Sequence, residues 1–185
     1  MKRIWVGVTV ALAALAACGV GNAIVNVDVF SFLQGSSSDS IPYVVPPGAS
    51  NFAVSNAPRK INLIPGVGGS LVDTVSVSGS TNFVNQTGTG SIGFQLYVAS
   101  DSAATYQPSA AVFAAPLAVN VTPGTTTPLV IPLTNLTATL DSLFSQSAIW
   151  VRLVAVVSNS GATLVQGVTV LTGLNLRVVV NVKTF

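Results

Sequence analysis

From Leu174 to Lys183 apolar and polar residues alternate almost without a break. Leu174, Leu176, Val178, Val180 and Val182 fall on one side of an extended chain, and Asn175, Arg177, Asn181 and Lys183 on the other. Side chains along a β-strand point alternately to opposite faces, so this pattern specifies a strand with one buried face. The same period recurs upstream. Ile92, Phe94, Leu96 and Val98 alternate with Gly93, Gln95 and Tyr97, while Ile149 to Val157 is nearly all apolar, as expected of a strand covered on both faces. Further strands are predicted at 24–32, at Ile61 to Ile64, at Leu71 to Val77 and at Leu129 to Leu133, with Thr122-Pro123-Gly124 marking a turn. In the Leu71 strand, Asp73 shares the apolar face of Val75 and Val77.

Two segments depart from this period. Leu136, Leu140, Leu143 and Phe144 have i, i+4, i+7, i+8 spacing, which predicts one or two helical turns between residues 137 and 146. Residues 34–58 are rich in Ser, Pro, Gly and Asn around an apolar island at Ile41 to Val45, and read as a long loop or tether. Strands separated by turn signals, with no alternation of strand and helix, define an all-β chain. The expected architecture is an antiparallel β-sandwich of about seven to nine strands with one short helical turn.

Most of residues 59–185 resembles immunoglobulin-like and fibronectin type III-like sandwiches in strand spacing, without the Cys…Trp…Cys signature of antibody domains. An outer-membrane barrel is excluded. Counting back by two from Phe185 brings Lys183 and Arg177 onto the lipid-facing side, where each costs about 2–4 kcal/mol at mid-membrane depth.

The N-terminus carries a different kind of signal. Lys2 and Arg3 precede an apolar run from Ile4 to Ala14, too short to span a bilayer about 30 Å thick, and then come Leu15-Ala16-Ala17-Cys18. This run resembles the lipobox of bacterial lipoproteins. The resemblance implies cleavage between Ala17 and Cys18, diacylglyceryl attachment to the Cys18 sulfur and acylation of its freed amine. Two or more acyl chains anchor stably where one does not. It further implies export and attachment to the cell envelope, with Gly19 permitting transfer to the outer membrane in a Gram-negative cell. An ordinary signal peptide cut after Ala16 is the competing reading, giving a freely secreted, self-assembling protein. It leaves Cys18, the only cysteine, as a lone thiol in an oxidising compartment. The expected organisation is thus a signal peptide over 1–17, an anchored strand and tether over 18–58, and a sandwich over 59–185, with strand 24–32 joining its sheet.

Removal of Lys2 and Arg3 changes the charge balance. The mature chain sets Arg59, Lys60, Arg152, Arg177 and Lys183 against Asp28, Asp39, Asp73, Asp101 and Asp141, so its formal charge is zero. Nucleic acid, which requires clustered Lys and Arg against phosphates, is not an expected partner. Only 6% of the chain is charged, which leaves its surface with weak electrostatic protection against self-association.

The chain has no His and no Glu, and its Asp residues are scattered. No catalytic residue, metal ligand or cofactor is assigned, because acid–base chemistry and zinc or calcium binding need groups at spacings this chain lacks. Asp39, Asp101 and Asp141 read as caps of backbone amides. The candidate ligand-binding residues are Tyr97 and Trp150, aromatics of the kind that stack on sugar rings. The expectation is a lipid-anchored, non-enzymatic envelope protein that contacts envelope proteins or itself. A glycan-binding sandwich is the alternative.

Overall fold

A computed structural model describes residues 21–34, 36–63, 71–112, 117–136 and 142–182. The expected leader and lipobox-like run with Ala17 and Cys18, and residues 137–141 of the expected helical segment, lie outside them.

The chain forms two five-stranded antiparallel sheets packed face to face. The elements run β1 (Gly21–Asp28), α1 (Val29–Gln34), β2 (Ser40–Val45), β3 (Phe52–Ser55), β4 (Arg59–Asn62), β5 (Leu71–Thr87) and β6 (Gly90–Ala99). They continue with β7 (Leu117–Val121), β8 (Thr125–Asn135), β9 (Ala148–Asn159) and β10 (Val165–Val182). The all-β antiparallel sandwich expected from the alternation is therefore present.

Each sheet is four positions wide, because two short strands share one edge of a long one. β1 pairs with residues 175–182 of β10, and β2 pairs with 165–170 of the same strand. In the other sheet β3 and β4 lie end to end along β9. Counting each pair as one position, the first sheet has the order β1/β2–β10–β5–β8 and the second β3/β4–β9–β6–β7. In chain order the first position, β1/β2, neighbours the last, β10, and with each pair counted once successive positions cross between the sheets except at β6–β7. That is the connectivity of a jelly roll, which refines the immunoglobulin-like expectation within the sandwich class.

The ends of the predicted strands move for identifiable reasons. The strand expected over 24–32 stops at Asp28, whose carboxylate accepts hydrogen bonds from the Ser31 amide at 3.3 Å and from the Ser31 hydroxyl. It thereby caps α1, and the same hydrogen bonds hold its pKa below the usual carboxylate range. Val29 and Leu33, one helical turn apart, then plug the core, while Phe32 stays exposed. Residues 34–58, expected as a loop or tether, contain β2 and β3 and so belong to both sheets. Ile41, Tyr43 and Val45 alternate inward between exposed neighbours, as a half-buried strand requires.

Asp73 escapes the core through a β-bulge. Val72 pairs with Val180 and Thr74 with Val179, so Asp73 is the extra residue and faces solvent while Val75 and Val77 remain buried. Of the expected helical segment, Ser142–Ser145 forms a single 3₁₀ turn that drives Phe144 into the core. Between the sheets Phe83, Phe94, Ile92, Leu96, Ile131 and Ile149 are all fully buried.

Candidate functional site

The register of β6 against β9 decides which side chains meet on the outer face of the second sheet. Tyr97 lies opposite Arg152, and Ala99 opposite Trp150. On the other side of β9, Lys60 lies opposite Trp150. Directly opposed residues of an antiparallel pair share a face, so Tyr97, Arg152, Trp150 and Lys60 form one patch on the outside of the sheet. The core beneath is filled by Ile149, Val151 and Leu153.

A loop folds back over this patch and organises it. After β6, Asp101 accepts a hydrogen bond from the Ala104 amide at 2.8 Å and starts a 3₁₀ turn over Ala104–Tyr106. A second 3₁₀ turn, Pro108–Ala110, returns the chain to β6, where the Val112 amide donates to the Leu96 carbonyl at 2.7 Å. The turn carries Tyr106 over Arg152. The guanidinium carbon of Arg152 lies 4.3 Å from the Tyr97 ring centroid and 4.5 Å from that of Tyr106. Its Nε and Nη2 both donate to the Thr105 carbonyl, at 3.1 and 2.8 Å.

Arg152 is only 8% exposed, although its strand position faces outward. Two ring faces and a carbonyl replace the water it loses, the combination that makes Arg tolerable in a nearly buried position. The Tyr97 hydroxyl donates to Gln95 Oε1 at 3.1 Å. Tyr106 remains 58% exposed, and Trp150, two residues before Arg152 on the same sheet face, is half-buried. A cavity of about 200 Å³ lies under the returning loop, lined by Val98, Ala99, Ala104, Gln107, Ala110 and Leu143 among others.

Both aromatics singled out from the sequence thus share a face. The sequence reading singled out neither Tyr106 nor, at the centre of the patch, Arg152. Its signal was a lone cation inside the apolar run Ile149 to Val157, a position that demands buried partners. Tyr43, the remaining tyrosine, is a core residue at 1% exposure. The assembled groups can stack on a ring and offer amide and hydroxyl hydrogen bonds. Among the described residues no three of His, Cys, Asp and Glu gather into a metal-binding group.

At the opposite end of β6 a second concavity, about 520 Å³, opens between the β5–β6, β7–β8 and β9–β10 turns. It is lined by Gln86, Thr87, Pro123, Thr163, Leu164 and Gln166 among others.

No protein-family model matches this chain, and no curated protein matches it. Among solved structures it is similar to one of infectious bursal disease virus, Gt strain, at 15% identity and a TM-score of 0.45, covering 88% of this chain and 38% of that one. This chain therefore spans well under half the length of that viral chain. A carbohydrate-binding module solved with β-1,4-galactotriose matches at 12% identity and a TM-score of 0.29, over 85% of each chain. The tobacco streak virus coat protein matches at 10% identity and a TM-score of 0.27, over 80% of this chain and 90% of that one. All three scores lie below 0.5, so the fold rests on the strand order itself. The class defined is an all-β antiparallel sandwich with jelly-roll connectivity.

Proposed function

We propose that the protein is an exported, lipid-anchored component of a bacterial cell envelope that acts by contact rather than by catalysis. The observation that carries this reading is the run Leu15-Ala16-Ala17-Cys18 placed directly before the first strand. β1 begins at Gly21, so a lipid on Cys18 would hold the edge of the first sheet within about 10 Å of the attachment point. Such a short tether keeps the sandwich against the membrane, where its nearly uncharged surface meets neighbouring proteins.

The test is the intact mass of protein recovered from membranes, beside a Cys18→Ala variant. A mass of Cys18 to Phe185 plus two or three acyl chains, with Cys18→Ala released or left uncleaved, supports the reading. An unmodified chain beginning at Ala17 overturns it.

A second reading, glycan binding, draws its support from Tyr97, Trp150 and Tyr106 gathered on one face. Tyr106 offers an exposed ring, and Gln95 and Lys60 supply polar atoms nearby. A glycan array probed with the processed protein tests it. Binding lost in Trp150→Ala or Tyr106→Ala supports this second role, and a blank array removes it.

A further inference from the structure

The free edges of the two sheets are guarded unequally. On β8, Pro128 pairs with Asn82 of β5, and Pro132 follows on the same strand. A proline in a ladder has no N–H to give, so Pro128 turns its bare nitrogen to the free edge. Pro42 does the same for β2, opposite Val168. β4 carries the exposed cations Arg59 and Lys60, while β3 and β7 are only four and five residues long. Prolines, cations and short length are the devices by which sheets keep their edges from templating another strand.

β1 has none of them. Its eight residues pair with β10 along one edge, and its sequence, Gly-Asn-Ala-Ile-Val-Asn-Val-Asp, brings neither proline nor cation to the other. Ile24 is 52% exposed. Val25 and Val27 point toward the core but are only half-buried, since β1 ends the sheet and no strand among the described residues flanks them.

We propose that β1 pairs antiparallel with β1 of a second copy of this chain, about a two-fold axis through Val25, joining two sandwiches by one continuous sheet. A register shifted by one residue would exchange inner and outer faces, so the axis must pass through a residue and not between two. With the axis at Val25, Val25 meets its own counterpart and Val27 falls opposite position 23, so the two Val25 side chains join the inner apolar layers across the interface. On the outer face Ile24 meets Asn26. Asp28, the only charge in the strand, meets Asn22 instead of another Asp. An axis through Ile24 would leave Val27 opposite Gly21, with no side chain to pack against.

An isologous contact of this kind closes on itself and does not propagate. The pairing names the partner for the contact role proposed above, and rests on that reading for the proximity of the two copies. A two-fold axis normal to the membrane lays both β1 strands along it, with both Cys18 anchors on the same surface.

The experiment is disulfide cross-linking of the full-length protein in membranes, with single cysteines placed from Asn22→Cys to Asp28→Cys and the wild type as background. Opposed residues of an antiparallel pair have Cα atoms about 4.5–5.5 Å apart, within disulfide range, whereas same-residue distances at positions 22 and 28 reach about 20 Å. The expected result is a dimer band at Val25→Cys about tenfold stronger than at either end. Ile24→Lys, which places a cation on the bare edge, should abolish that band. Equal or absent cross-linking along β1 overturns the proposal. Should Val25→Cys prevent folding, the mass of the detergent-extracted wild type decides: a dimer converted to monomer by Ile24→Lys supports the pairing, and a wild-type monomer overturns it. Acylated Cys18 in a monomeric protein would sink the pairing and leave the anchor standing. Cross-linking at position 25 in an unacylated protein would do the reverse.

Discussion

Tyr43 lies directly opposite Gly167 across the β2–β10 ladder, and its hydroxyl occupies the space that any side chain at position 167 would need. A Cβ at Gly167 would come 2.5 Å from that hydroxyl and 2.2 Å from the Val84 carbonyl oxygen. The second contact is with backbone on the neighbouring strand and has no easy way to give. Gly167→Ala is therefore expected to destabilise the fold by roughly 1–3 kcal/mol, the usual cost of overfilling a packed core. Urea unfolding followed by tryptophan fluorescence measures this, and an unchanged midpoint would refute the packing described.

The same tyrosine makes stability depend on alkaline pH. Burial pushes the Tyr43 phenol up to about 12, and its hydroxyl donates to Asn85 Oδ1 at 3.4 Å. An unfolded tyrosine ionises near pH 10, so the folded state holds the proton more tightly. The stabilisation is complete below about pH 10 and is lost as pH rises from there toward 12. Melting temperatures measured from pH 9 upward should fall more steeply in the wild type than in Tyr43→Phe, which has no proton to lose. Parallel curves would mean that the phenol ionises equally well in the folded and unfolded chains.

What the sequence made legible follows the range of the interactions involved. β10 could be read residue by residue, because one-sided burial writes itself directly into Leu174, Leu176, Val178 and Val180. β2 was hidden, since Pro42 interrupts Ile41, Tyr43 and Val45 and Pro46 follows at once; yet a proline is what an edge strand tolerates, and β2 is an edge strand. α1 was obscured by Phe30 and Phe32, both good strand formers, while the local cue was Asp28 three residues before Ser31. The bulge at Asp73 depends on how β10 is paired, and its one local trace is an acid on the apolar face of Val75 and Val77. The candidate face divides in the same way. Tyr97 and Trp150 were visible as aromatics, but their adjacency depends on the β6–β9 register, and the clamp on Arg152 depends on a loop closing from beyond β6.

That clamp yields a prediction specific to Arg rather than to positive charge. The Arg152 guanidinium stacks between Tyr97 and Tyr106 while two of its nitrogens hold the Thr105 carbonyl. Lysine offers a point charge on a flexible stem and cannot present a flat face to both rings. Arg152→Lys should cost roughly 2 kcal/mol, from the lost stacking and a lost charged hydrogen bond. Hydrogen exchange locates the effect: amides of residues 104–112 should lose protection while those at the centre of β9 keep theirs. Protection lost equally along β9 would indicate that Arg152 supports the sheet and not the loop.

Thr169 and Thr81 both point into the core from neighbouring strands, and only one of them is satisfied. Thr81, fully buried, donates its hydroxyl to the Val170 carbonyl at 3.0 Å. Thr169, 1% exposed between Ile41 and Phe83, has no hydrogen-bond partner for its hydroxyl among the described residues. Leaving a buried hydroxyl unmatched costs about 1–3 kcal/mol, whereas valine fills nearly the same volume with nothing to satisfy. Thr169→Val is accordingly expected to raise stability by about 1 kcal/mol, or about 2–4 °C in melting temperature for a chain of this size. Thr169→Ala removes the methyl group as well and opens a cavity, so it should fall below the valine variant. Thr81→Val provides the contrast, because there the substitution breaks a bond and leaves the Val170 carbonyl without it. A rise at 169 together with a loss at 81 is the expected pair of outcomes; a loss at both positions would mean that the Thr169 hydroxyl is bonded after all.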